Sequence, residues 1–474
     1  MKNACVIGSG PNGLAAAIVL AQAGLHVDVF EAEAEPGGAA RTMPLTLPGF
    51  LHDIGSAVHP MAAGSPFLSK LPLANHGLGW IHGEAPLAHP LDDGTAVILE
   101  HSLSDTEREL GADGKSWRRL MQPLADHWQQ FSQDGLGPLI RIPRHPFLMA
   151  HVGLSAFQPA QRLATHHLSG SRARALFAGL AGHSFLSFDR PLSSAIALVL
   201  GAAAHVVGWP IPRGGSASIS CALLSYLQSL GGAIHTSSRI EAQQFRDIAS
   251  GDPLVLCDIS PRQLLALAGD RLKPAIRRAM ERFQPGPGVF KIDYALSEPV
   301  PWRAPECRRA ISLHLGGSFE EIAASEFAVS QNRHAERPFI LAAQPTLFDP
   351  TRAPQGQHIL WTYCHVPNGS TLDMTERVES QIERFAPGFR DCVIARKVST
   401  PTILQSMNEN LIGGDISGGA MTLSQFFFRP TALNYYTGTP NLYLCSSSTP
   451  PGGGVHGMCG FNAARLALRM SGHA

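Results

Sequence analysis

Val6-Ile7-Gly8-Ser9-Gly10-Pro11-Asn12-Gly13, an Ala-rich run to Ala23, and then Val27-Asp28-Val29-Phe30-Glu31 form the stretch that decides the fold. Residues 3–7 are a short apolar run of strand type. The three glycines make a tight turn into a helix from about Asn12, and Gly24 ends that helix. A second strand closes on Glu31, 23 residues beyond Gly8. In such a unit the first glycine permits the turn, the second lets the backbone approach a pyrophosphate, and the third lets helix and strand pack closely. The helix N-terminus offers free N–H groups and partial positive charge to the pyrophosphate. The terminal carboxylate stands where ribose hydroxyls are held. A lone GxGxxG is weak, but here it comes with its strand, helix, second strand and acid. The reading is a dinucleotide site. Glu33 and Glu35 read as solvated loop charges.

Pro36-Gly37-Gly38-Ala39-Ala40-Arg41-Thr42 then brings a second close backbone approach and a cation, and Phe50-Leu51-His52-Asp53-Ile54-Gly55-Ser56 follows. With these segments the chain resembles two-motif flavoproteins of the glutathione-reductase type. Within them it resembles the phytoene desaturase-like branch, which includes the pyridine nucleotide-disulphide oxidoreductase domain-containing protein 2 group. The resemblance implies an α/β fold: an FAD-binding Rossmann-type parallel sheet, an inserted antiparallel-sheet substrate domain and a helical cap. It also implies that FAD is held by Gly8, Ser9, Gly10, Pro11, Asn12, Gly13, Glu31, Ala32, Gly37, Gly38, Ala39 and Arg41. Two later blocks extend it. Pro212-Arg213-Gly214-Gly215, a helix, Gly231-Gly232 and a strand are similar to the branch's second block, in which the Ile240 position meets the adenine. Pro450-Pro451-Gly452-Gly453-Gly454-Val455-His456, between a strand and a helix, offers Gly453, Gly454 and Val455 as a cradle for the ring edge. That helix would aim positive potential at a reduced flavin. The branch usually reads Gly-x-Gly-Thr-His-Pro-Gly there. This chain has Ser446, Ser448 and Pro450 instead, which puts a role for that histidine in doubt. His59 follows the 53–55 segment, which in the branch runs beneath the flavin. It is the one candidate for ring or substrate contact, weighed against an ordinary packed histidine.

Composition bounds the rest. Hydrophobic residues are 44%, charged residues 16% and the net charge is zero in 474 residues, so nothing points to nucleic acid. A strand starting near residue 3 leaves no room for a signal peptide, and no apolar run is long enough to span a bilayer. The eight cysteines are scattered without a CxxC, which fits reduced thiols in a cytoplasmic setting and excludes a CxxC redox disulphide. No HExxH, GxSxG or paired Cys/His pattern occurs, so no metal site is expected.

The expected domains are residues 1–100, 206–287 and 405–474 for FAD, 101–205 as helical cap, and 288–404 as substrate domain. The cap should be helical over 105–134, 155–167, 171–183 and 192–207, with Gly135, Pro138, Pro143 and Pro146 as breakers. Between Asp134 and Glu241 the only acid is Asp189, against eight arginines: 141, 144, 162, 172, 174, 190, 213 and 239. Three readings stay open: a solvated face, a peripheral surface for anionic lipid, or a handle for an anionic substrate, with Arg172 and Arg174 as candidates for the last.

No second GxGxxG follows a strand, so a dedicated NAD(P)H domain is not expected. The leading function is an FAD-dependent oxidoreductase that takes hydride from an apolar or amphipathic small molecule to form a C=C or C=N bond. A flavin-dependent isomerase or saturase is the alternative within enzymes. A non-catalytic escort protein of the same fold is the alternative outside them, disfavoured by the intact glycine motifs.

Overall fold

A computed structural model of the chain describes residues 3–472. The first strand, Asn3–Ile7, lies at the centre of a five-stranded, fully parallel sheet. The order across that sheet is Leu442–Leu444, Leu254–Cys257, Asn3–Ile7, His26–Phe30, Ala233–His235. Its central strands read as continuous apolar runs because helices cover both faces. Helix Pro11–Gln22 begins with Pro at its first turn, where the missing N–H costs nothing, and buries ten of its twelve residues. The C-terminal helix Met458–Met470 packs on it. The approach is so close that a Cβ on Gly460 would lie 1.8 Å from the carbonyl oxygen of Asn12. That contact brings the loop at 450–456 against the first turn.

The second sheet has seven strands, in the order Val393–Ser399, Gly288–Leu296, His358–Val366, Ile340–Ala343, Ala310–Leu315, Ala85–Pro90, Ala96–Leu99. It is antiparallel except where Ala310–Leu315 runs parallel to Ala85–Pro90. The strands at 85–99 thus pair with the substrate sheet, although they precede the expected boundary at residue 100. The expected boundary at 404 falls inside helix Pro401–Met407. A further helix, Phe319–Ser330, opened by a Ser318/Glu321 capping box, lies within the strand-rich region.

The cap is built of helices including Gly114–Asp126, Pro146–Ala156, Ser171–Gly182 and Ser193–Val206, and Ser171–Gly182 packs on the Ala85–Pro90 and Ala96–Leu99 strands of the seven-stranded sheet. Pro146 opens its helix instead of breaking one, and the expected segment 155–167 is two helices, parted at Phe157–Pro159. Buried Asp53 ties the halves together. Its carboxylate accepts from Thr42 Oγ1 (2.7 Å), Ser216 N (2.8 Å) and Arg352 Nη2 (2.9 Å). Among the described residues, no helix is long and apolar enough to cross a membrane.

Candidate active site

One cavity of about 760 Å³ runs from the first turn into the space between the cap and the seven-stranded sheet. At the turn, Glu31 is buried at the end of its strand. Its Oε2 accepts from Ser9 N (2.9 Å) and Ser9 Oγ (2.6 Å), and its Oε1 accepts from Glu33 N (3.0 Å). These donors fix the carboxylate and leave Oε1 with capacity for a further donor such as a ribose hydroxyl.

The glycines are dictated largely by Asp258, which follows strand Leu254–Cys257. Asp258 Oδ2 accepts from Gly13 N at 2.8 Å. A Cβ on Gly10 would fall 2.6 Å from the same oxygen, and one on Gly13 would fall 2.1 Å from the Gly8 carbonyl. Burial pushes the Asp258 carboxyl up to about 7. A carboxyl held there is only partly ionised at neutral pH, which lessens the negative charge beside a diphosphate.

Every residue expected to hold the cofactor lines this cavity except Gly13 and Gly37. Those two lie behind its wall. Gly13 is packed as above, and Gly37 sits against Ser220 while its N–H donates to Ser9 Oγ at 3.3 Å. Arg41 is buried and donates to the carbonyls of Gly38 (2.8 Å) and Met407 (2.9 Å). It has no ion pair among the described residues, so its charge is available to an anion. Glu33 and Glu35 are exposed, as expected of solvated loop charges, and border the same cavity.

His59 lines the cavity as well, and neither ring nitrogen has a hydrogen-bond partner among the described residues. Burial holds it neutral, down to about 4. One nitrogen is therefore a donor and the other an acceptor, both able to serve a ligand. His456, six residues beyond Pro450, also lines the cavity. It too is pushed down to about 4 by burial, and its Nδ1 accepts from Met458 N (3.0 Å) at the start of the last helix.

Beyond the turn the wall becomes apolar: Val152, Ala156, Ile196, Val199 and Leu200 from the cap, and Val289, Leu341 and Trp361 from the sheet. Ser184, Ser312, Tyr363 and His183 interrupt it with polar groups, and Lys291 with a charged one. Lys291 lies on strand Gly288–Leu296, is buried, and forms an ion pair with Asp293 on the same face of that strand. Burial lowers the Lys291 amine and raises the Asp293 carboxyl, so both are driven towards their uncharged forms. Sequence reasoning passed over Lys291, Asp293, Asp258 and His456. Arg172 and Arg174 do not line the cavity. Arg172 pairs with Glu109 (2.7 Å) and donates to Ala96 O (2.8 Å), and Arg174 Nε donates to Leu168 O (2.7 Å).

These features can be set beside known proteins. The family description NAD(P)-binding Rossmann-like domain matches residues 6–69. Pyridine nucleotide-disulfide oxidoreductase domain-containing protein 2 of Rattus norvegicus is 26% identical, over 98% of this chain and 93% of that protein. Phytoene desaturase (lycopene-forming) of Pseudescherichia vulneris is 24% identical, over 99% of each. The chain is a homologue of both. A solved putrescine oxidase triple mutant has a TM-score of 0.62 at 15% identity, covering 100% of this chain and 99% of that one, which shows a shared fold. The dinucleotide cradle with Glu31, Gly38, where a Cβ would lie 3.1 Å from the Gly10 Cα, Arg41 and the 453–455 loop together fit FAD.

Proposed function

We propose that the chain is an FAD-dependent oxidoreductase that removes a hydride from an apolar or amphipathic small molecule, leaving a C=C or C=N bond. The observation that carries this reading is the continuity of one cavity from the dinucleotide cradle into an apolar chamber. The names of the two homologues and the putrescine oxidase fold support the same class. FAD, when bound, supplies the hydride acceptor.

The chain's own residues do the rest. Glu31 and the 8–12 turn would hold the ribose and diphosphate, and Arg41 would offset the diphosphate charge. Apolar side chains of the cap exclude water and orient the substrate by shape, which favours a substrate that gains from desolvation. Double-bond formation releases a proton as well as a hydride. Lys291, with its amine lowered by burial, is placed in the chamber wall to receive that proton at Nζ. His59 presents a neutral donor and acceptor to ring or substrate.

The test is anaerobic mixing of the purified protein with NADH, NADPH and a panel of apolar alkenes and amines. Member compounds of the apolar panel should bleach the flavin while both nicotinamides leave it oxidised. Rapid bleaching by NADH or NADPH alone would overturn the proposed direction of electron flow and favour a saturase.

A further inference from the structure

We propose that the rim of this cavity docks on a membrane surface containing anionic lipid. The first observation is exposure. In the segment leading into and along helix Pro146–Ala156, Ile142 is 93% exposed, Phe147 90%, Leu154 75% and Ile140 54%. Single exposed apolar residues are ordinary, but a cluster marks an interaction surface. Val152 is the only fully buried residue of that helix.

The second observation is continuity with the chamber. Met149, Val152 and Ala156 of the same helix line the cavity, so one helix separates the exposed cluster from the apolar interior. A helix apolar on both its inner and outer faces needs an apolar environment on both sides. The neighbouring segment is built alike. Met421 and Phe426 line the cavity while Leu423 and Phe428 are each 49% exposed. Phe157 joins the two segments, stacked on Phe427 with ring centroids 5.8 Å apart.

Charge selects the occupant. Neither rim segment carries an acid: none occurs between Asp134 and Asp189, and none after Asp415. Asp134 itself is buried and turned inward, accepting from the backbone of Arg144 (3.0 Å) and His145 (2.9 Å), which holds up the loop bearing Ile142 and Phe147. The Arg144 side chain is exposed and has no partner among the described residues. A second copy of the chain would have to bring the same acid-free surface against itself, where like charges repel. An anionic bilayer complements both properties at once: apolar side chains enter the headgroup region and arginine meets lipid charge. The depth is that of side chains only. Arg172 and Arg174, the candidates for a handle on an anionic substrate, take no part, because each is satisfied within the protein.

The experiment is sedimentation of the full-length protein as purified with phosphatidylcholine vesicles and with vesicles containing phosphatidylglycerol, each at low and high salt. The protein should pellet with the anionic vesicles and be released by salt, since exposed charges are screened within about 10 Å at 0.1 M. Phe147→Ser/Leu154→Ser should lower partitioning by roughly tenfold or more, and Arg144→Glu should abolish the preference for anionic lipid. The visible flavin spectrum, recorded on the same samples, should be unchanged. It reports separately on the cofactor reading, so loss of docking and loss of flavin cannot be confused. Absence of wild-type binding to anionic vesicles would overturn the proposal, as would undiminished binding of the double variant. So would self-association through this face, seen as a dimer that the double variant dissociates without any lipid binding.

Discussion

Replacing Asp258 by asparagine keeps the shape of the cradle and removes its buried titration. Asp258 Oδ2 accepts the Gly13 N–H at 2.8 Å, and an asparagine oxygen can accept the same bond. Burial pushes the aspartate from 3.8 up to about 7. At about 1.4 kcal/mol per pKa unit, ionising it costs the folded protein about 4 kcal/mol relative to the unfolded chain. Below about pH 4 both states hold the proton, and the residue costs nothing. From there to about pH 7 the folded state binds more protons than the unfolded one, so stability falls as pH rises; above that the loss is complete and constant. Asp258→Asn should therefore match the wild type in acid and exceed it by up to about 4 kcal/mol at pH 8. Urea unfolding of both proteins across this range measures the difference. Parallel pH profiles, or a variant less stable than wild type at pH 8, would refute the reasoning.

Two further outcomes follow from the site. Glu31→Ala removes a charged hydrogen-bond acceptor worth about 1.5–3 kcal/mol and should weaken FAD binding about ten- to a hundredfold, as read by titration of the apoprotein; an unchanged dissociation constant would remove Glu31 from the ribose site. Lys291→Met strands Asp293 in the interior and should cost about 3–5 kcal/mol in thermal unfolding, most of which Lys291→Met/Asp293→Asn should recover. Equal losses in both would mean that the pair is not electrostatically coupled.

The first half of the cradle was legible because its parts are coded locally: strand, turn, helix and acid lie within 31 residues, each with its own chemistry. Asp258 was not, because its bond to Gly13 joins residues 245 apart and no local pattern announces it. The same reason hides the parallel pairing of Ala85–Pro90 with Ala310–Leu315, which moves two strands across the expected boundary. Other signals were present and passed over. Lys291 and Asp293 interrupt an otherwise apolar strand at spacing two, which places both charges on one face. Ser318-Phe319-Glu320-Glu321 is a capping box opening a helix. The arginine count identified an acid-poor block but not its useful side chains. A net charge does not see that Arg172 reaches Glu109 outside the block while Arg144 reaches nothing.

The central claim is that this cavity holds FAD, and the absorption spectrum of the purified protein tests it most directly. The protein should be yellow, with visible flavin bands, and denaturation should release FAD in about one equivalent per chain. A colourless protein that cannot be reconstituted with FAD would contradict the account.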